Sequence, residues 1–247
     1  MPESRSRRLT FLQLLPNIMT LGAICAGITS IRFATEGRVD QAIALIILAA
    51  ILDGLDGRVA RMLRSESPIG AELDSLADFV NFGVATGLLV YFPLLHGESR
   101  LGWVAVLIYA VCCVMRLARF NVGVKTPDAG AAPGYFTGVP SPAGALLALL
   151  PIALDRALVG IEVAPALVAL WLVVVGLLLV SRIPTPSLKQ LRIPREKSRY
   201  VVICAIGCIA LVFTWPWEAL LAADLAYLGV ILWAIRTRAR HEKPEGA

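Results

Sequence analysis

The sequence is poor in charge and in the side chains that most often carry out catalysis. Charged residues make up 17% of its 247 positions, against about a quarter in a typical soluble domain. The chain has two histidines, His96 and His241, both in polar segments. This scarcity excludes most Ser–His–Asp chemistry and most histidine-ligated metal sites, so any catalysis has to use carboxylates, arginines or hydroxyls.

Cysteine is also scarce and forms no recognisable pattern. The five cysteines lie inside apolar runs and include no Cys-x-x-Cys pair, so neither a zinc site nor a disulfide framework is expected. They are Cys25, Cys112, Cys113, Cys204 and Cys208. We interpret them as small residues that face lipid or the protein core.

Long apolar runs dominate the rest of the chain. Hydrophobic residues make up 57% of the sequence, and a membrane-spanning helix needs about 20 mainly apolar residues. The pattern predicts an all-α, polytopic membrane helical bundle of about eight transmembrane helices. It would form one integral-membrane domain over 1–247, with cytoplasmic tails at 1–10 and 237–247. The predicted spans are approximately 11–31, 41–60, 71–92, 102–120, 140–158, 163–181, 199–214 and 217–235.

The basic residues are distributed unevenly among the segments that join these spans. With a cytoplasmic N-terminus, all but four of the 23 Lys and Arg residues fall on the cytoplasmic side, in agreement with the positive-inside rule. The exceptions are Arg32, Arg38, Arg100 and Arg156. We therefore predict that both termini are cytoplasmic. The net charge of +5 then reflects membrane topology, and no nucleic-acid partner is expected.

Four aspartates interrupt the apolar pattern within residues 53–78, at the ends of the second and third predicted spans. Carboxylates close to the hydrocarbon core are costly and by default mark function. Residues three or four apart share one face of a helix. One such face holds Asp53, Asp56, Gly57, Ala60 and Arg61, and a second holds Gly70, Asp74 and Asp78. A turn over 65–68 would let the two faces meet, with the four carboxylates converging.

Four carboxylates at close range repel one another unless cations lie between them. All-oxygen ligation suits Mg²⁺ or Mn²⁺, and two such ions form the usual clamp for phosphoryl transfer. On the same face, Gly57 and Ala60 leave room for a bulky ligand, and Arg61 suits a phosphate. The alternative is that each aspartate only caps a helix and faces water, but this does not explain their shared register.

The spacing resembles that of the CDP-alcohol phosphotransferase family, whose members carry D-x2-D-G-x2-A-R-x8-G-x3-D-x3-D. Every fixed position is matched between Asp53 and Asp78. The resemblance implies two divalent cations, Mg²⁺ or Mn²⁺, held by Asp53, Asp56, Asp74 and Asp78. It also implies that Asp78 is the catalytic general base, and that the protein is a homodimer. The implied contacts with the CDP-lipid come from Asn17, Thr20, Gly57, Ala60, Arg61, Ser67 and Gly70.

Four further stretches resemble bacterial and archaeal phosphatidylserine synthases. They are LPNIMTLGAICAG near the N-terminus, DSLADFVNFGVATG from Asp74, RLARFN at 116–121 and GVPSPAGA at 138–145. One departure is FGVAT at 82–86, where that subfamily commonly has FGVAP. The resemblance implies phospholipid synthesis in the cell (inner) membrane, with the active site at its cytoplasmic face. There a phosphatidyl group would pass from CDP-diacylglycerol to L-serine, and CMP would leave.

The acceptor site is less sharply indicated. Arg116 and Arg119, together with Asn121, could bind the serine carboxylate, since arginine binds carboxylates through two parallel hydrogen bonds. The alternative is that the arginines only anchor the fourth span at the cytoplasmic side.

Other functions stay open at this stage. A sibling enzyme would use glycerol 3-phosphate or an inositol (phosphate), although the lack of basic residues between Asp78 and Arg100 mildly favours serine. A divalent-cation transporter would use the aspartates as its pathway, but the second half of the chain has no counterpart of them. A structural protein without activity is disfavoured by the four intact aspartates.

Overall fold

A computed structural model of the protein describes residues 11–97, 100–125, 135–158, 163–181, 184–186 and 214–241, together with 207, 210 and 211. Most of these residues are helical, and two strands of three residues each are also present. The chain divides into two compact units, Met1–Pro93 and Leu94–Ala247.

The first unit is built from three long helical stretches. Its elements are α1 Phe11–Thr35, α2 Val39–Leu63, α3 Pro68–Asp78, a π-helical segment Phe79–Ala85, and α4 Thr86–Leu94, which ends at the unit boundary. The last three form one continuous helical stretch, Pro68–Leu94. Wider π turns are rare and occur often at functional sites, and this one begins directly after Asp78.

Helices α1 and α2 pack against each other as an antiparallel hairpin. The chain reverses at Gly37, whose φ of +74° is a backbone conformation that favours glycine. Small residues, Ala23 and Ala26 on α1 and Ala49 on α2, form a buried cluster between the helices. Because small side chains allow close approach, the polar residues further from the turn on both helices also come within hydrogen-bonding distance.

The turn between α2 and α3 is specified locally by its sequence. Helix α2 ends at Leu63, and Arg64 then takes a left-handed backbone conformation with φ of 51°. Ser67 caps α3, because its Oγ accepts a hydrogen bond from the Gly70 N–H at 3.0 Å. Pro68 follows at the first helical position, where its missing N–H costs nothing. The turn predicted at 65–68 therefore lies within one residue of the observed position.

Helix α1 also packs tightly against the π-helical segment. A Cβ added to Gly27 would lie 2.0 Å from Asn81 Oδ1 and 3.4 Å from Asn81 Cα. Asn81 is 1% exposed, so it has little room to move away. A glycine is therefore required here, and the contact holds α1 against the segment that follows Asp78.

The second unit contains four helices and a short pair of strands among its described residues. They are α5 Arg100–Lys125, β1 Tyr135–Thr137, α6 Ser141–Ala157, α7 Pro165–Val180, β2 Pro184–Pro186 and α8 Pro216–His241. Strand β1 pairs antiparallel with β2, with Phe136 opposite Thr185. Helix α7 packs against α5 and α6, and α6 also packs against α8.

The predicted spans coincide with helices except for 199–214, which lies almost entirely outside the described residues. Four of the described helical stretches are long and apolar enough to cross a membrane. They are Leu12–Thr35, Pro68–Leu94, Arg100–Val122 and Pro216–Arg236. Helices α6 and α7, with 17 and 16 residues, are shorter. The apolar helices indicate a membrane protein, while the count of eight spans and the orientation of the termini stay predictions.

Two details differ from the sequence-based expectations. The pairing of β1 with β2 was not expected in an all-α chain, because strands of three residues give no periodic signal. Helix α8 continues to His241, so the tail predicted at 237–247 begins as helix. A helix leaving a membrane does not have to end there, since its backbone hydrogen bonds are internal. The single domain over 1–247 stays a prediction.

Candidate active site

A cavity of about 210 Å³ lies in the first unit, between α1, the C-terminal half of α2 and the start of α3. Asp56 and Asp74 both line it. So does every residue assigned to the CDP-lipid by resemblance: Asn17, Thr20, Gly57, Ala60, Arg61, Ser67 and Gly70. The hairpin and the capped turn thus bring residues from three helices to one space. Their contacts with a ligand stay a prediction.

Asp56 is held in place by the first helix. Its carboxylate is buried, with 4% of the residue exposed, and Thr20 is equally buried. Thr20 Oγ1 donates to Asp56 Oδ2 at 2.6 Å, and it also lies 3.0 Å from the carbonyl oxygen of Pro16, an alternative acceptor. The hydrogen bond orients the Asp56 carboxylate in the cavity wall.

The aspartates of α2 and α3 lie close to one another. The Asp74 carboxyl group lies close enough to those of Asp53 and Asp56 to interact with them electrostatically. Carboxyl groups this close need a shared proton or a bound cation. This donor set, made only of carboxylate oxygens, fits Mg²⁺ or Mn²⁺.

The convergence of all four carboxylates stays a prediction. Asp78 lies one turn beyond Asp74, at the end of α3, with its Oδ1 buried. In the part of the chain that the structure describes, no three Asp, Glu, His or Cys side chains are arranged to enclose an ion. Three aspartates are therefore neighbours without forming a closed cage. Helical spacing predicted their shared faces, but it does not determine where each carboxylate points.

Two glycines and an arginine shape the cavity wall. A Cβ added to Gly70 would lie 3.1 Å from both Asn17 Oδ1 and Ser67 Oγ, a tight contact. A Cβ on Gly57 would lie 3.8 Å from Arg61 Nη1, so the Arg61 guanidinium lies beside Gly57, one helical turn back along α2. A cation in this position suits the phosphates of a ligand.

Outside the first helix, the sequence reasoning missed three lining residues: Ser65, Glu66 and Ala71. The first two belong to the variable stretch of eight residues inside the motif, and the third directly follows Gly70. A polar pair at a predicted turn, beside a predicted ligand site, was the one signal that could have identified Ser65 and Glu66.

The predicted acceptor residues lie on α5, in the second unit. Arg116 Nη1 donates to Ser141 Oγ at the start of α6. Arg119 donates to the carbonyl oxygens of Val180 at 2.7 Å and Ser181 at 3.2 Å, at the end of α7. Asn121 is half-buried on the same helix. The two arginines thus join helices within this unit, a role that neither sequence-based alternative included.

Comparison with known proteins gives consistent findings. The model of the CDP-alcohol phosphatidyltransferase family matches residues 13–181. Three curated relatives share the name CDP-diacylglycerol–serine O-phosphatidyltransferase. The Mycobacterium leprae protein is 45% identical over 95% of this chain and 78% of its own length. The Helicobacter pylori protein is 37% identical over 90% of this chain and 92% of its own length. The Methanocaldococcus jannaschii protein is 33% identical over 76% of this chain and 82% of its own length.

Proposed function

Because the chain belongs to the CDP-alcohol phosphatidyltransferase family, we propose that it transfers a phosphatidyl group from CDP-diacylglycerol to L-serine. The products are phosphatidylserine and CMP, and the process served is phospholipid synthesis. The main support is that the motif residues of α1, α2 and α3 surround one cavity. The names of relatives up to 45% identical support serine as the acceptor.

We propose that two divalent cations take part, held by Asp53, Asp56, Asp74 and Asp78. The family generally depends on such cations. The proximity of Asp53 and Asp56 to Asp74 supports this assignment, since carboxylates this close are compatible with a shared cation. When bound, the ions would stabilise charge on the phosphoryl oxygens and on the departing CMP.

The protein's own groups then bind and orient the substrates. Arg61 pairs with the pyrophosphate. Thr20 donates a hydrogen bond to the Asp56 carboxylate and so holds its orientation. Asp78 takes the proton from the serine hydroxyl, whose oxygen attacks the phosphorus on the diacylglycerol side. The bond from that phosphorus to the CMP oxygen breaks, and the electron pair leaves with CMP. Positioning and charge stabilisation carry most of such a reaction.

We propose that Arg116, Arg119 and Asn121 bind the acceptor. A guanidinium has five N–H donors, so hydrogen bonds to Ser141 or to the end of α7 are compatible with an additional contact to a carboxylate. We also propose that the enzyme lies in the cell's inner membrane, with its active site at the cytoplasmic face, and that it acts as a homodimer.

The function is tested by following CMP release from the protein purified in detergent with CDP-diacylglycerol and Mg²⁺ or Mn²⁺. Serine, glycerol 3-phosphate and inositol phosphate are added in separate reactions. We expect release only with serine. Release with another alcohol would keep the reaction type and replace the acceptor. No release with any of the three would contradict the proposed transferase activity.

Replacing Thr20 by valine is expected to lower kcat/KM about tenfold to hundredfold. The variant loses a hydrogen bond to a charged group, which contributes about 1.5–3 kcal/mol. Steady-state CMP release measures the effect, and Thr20→Ser should retain most of the activity. The matched control is Thr29→Val, which removes a hydrogen bond to Cys25 O within the same helix. Equal activity of the two valine variants would show that Thr20 does not orient Asp56.

A further inference from the structure

We propose that Glu66 and Ser65, in the turn between α2 and α3, recognise the base of the nucleotide and select cytosine over uracil. Neither residue is a fixed position of the motif, and both line the cavity. The inference rests on the proposed function and deepens it, because it assigns the part of the cavity that distinguishes one nucleotide from another.

The orientation of the nucleotide follows from the layout of the cavity. The aspartates mark the end where the pyrophosphate binds. Helix α2 ends at Leu63, about 10 Å beyond Asp56 at 1.5 Å per residue, and the turn follows. Arg64, Glu66 and Ser67 are exposed in that turn, so it belongs to the polar surface. The acyl chains of the substrate require the hydrocarbon region, and the polar nucleoside therefore extends towards the turn.

The chemistry of the two side chains fits a base with an exocyclic amine. Cytosine has an N4 amino group that donates hydrogen bonds, and carboxylates are suited to accept from it. Uracil has a carbonyl oxygen at the same position, which a carboxylate repels. Glu66 is the carboxylate at this end of the cavity.

Ser65 provides a second polar group beside Glu66. Its Oγ is buried, and it has no hydrogen-bond partner in the described part of the chain. A buried hydroxyl in this state costs free energy, and a ligand that fills the cavity can supply its partner. A hydroxyl both donates and accepts, so Ser65 contributes affinity for either pyrimidine, while Glu66 contributes the discrimination.

The experiment measures binding of CMP and of UMP to the full-length protein in detergent with Mg²⁺, by titration calorimetry. We expect the wild type to prefer CMP. In Glu66→Gln, the preference should fall about tenfold to hundredfold, the range for one good base contact, because the amide can rotate to donate to the uracil carbonyl. Ser65→Ala should weaken the binding of both nucleotides and leave the ratio of the CMP affinity to the UMP affinity unchanged.

The matched control is Glu72→Gln, which removes an exposed carboxylate from α3 outside the cavity lining. It should leave both affinities unchanged. An unchanged ratio of CMP to UMP affinity in Glu66→Gln would overturn the inference and leave the proposed transferase intact. A wild type that binds neither nucleotide, with Mg²⁺ present, would count against the proposed function itself.

Discussion

Replacing Asp78 by asparagine is expected to slow CMP release by about 10²–10⁴-fold, the usual contribution of a general base. The amide has nearly the same shape as the carboxylate but cannot take the proton from the serine hydroxyl. Asp78 lies at the junction of α3 and the π-helical segment, with Oδ1 buried. Because the lost step is the proton transfer, the change should act mainly on kcat, measured with saturating serine, CDP-diacylglycerol and Mg²⁺ or Mn²⁺.

A matched control is Asp40→Asn, which neutralises an exposed aspartate in the first turn of α2. It should retain wild-type activity. If Asp78→Asn releases CMP at more than about a tenth of the wild-type rate, a general-base contribution of the usual size is excluded.

Removing divalent cations with EDTA is expected to abolish CMP release, and adding Mg²⁺ or Mn²⁺ should restore it. The physical reason is the close approach of Asp53, Asp56 and Asp74, whose charges need a compensating cation. The metal would also stabilise the charge that develops on the phosphoryl oxygens. We therefore expect no appreciable CMP release without a metal.

The variant Asp74→Asn separates metal binding from general effects of the chelator. It should raise the Mg²⁺ concentration for half-maximal activity at least about tenfold, since even partners outside the first coordination shell change metal affinity that much. An unchanged Mg²⁺ requirement would remove Asp74 from the metal site. Full activity of the wild type in EDTA would contradict the two-metal proposal, while membership of the family would be unaffected.

The sequence alone determined the features that depend on local spacing. Residues three or four apart share a helical face whatever surrounds them, and so the faces holding Asp53, Asp56, Asp74 and Asp78 could be read directly. The capped turn is equally local, because Ser67 and Pro68 specify the start of α3. The family could be identified from the same segment, since its motif is a set of fixed separations.

Only the tertiary structure decided which distant residues meet. The pairing of Thr20 with Asp56, the contact of Gly27 with Asn81 and the hydrogen bonds from Arg119 to the end of α7 all join separate helices. Helical periodicity describes which face a residue occupies, but not the rotation and depth at which two helices pack. For the same reason, the motif placed four carboxylates on facing helices, while packing decided that Asp56 and Asp74 line one cavity together with Ser65 and Glu66.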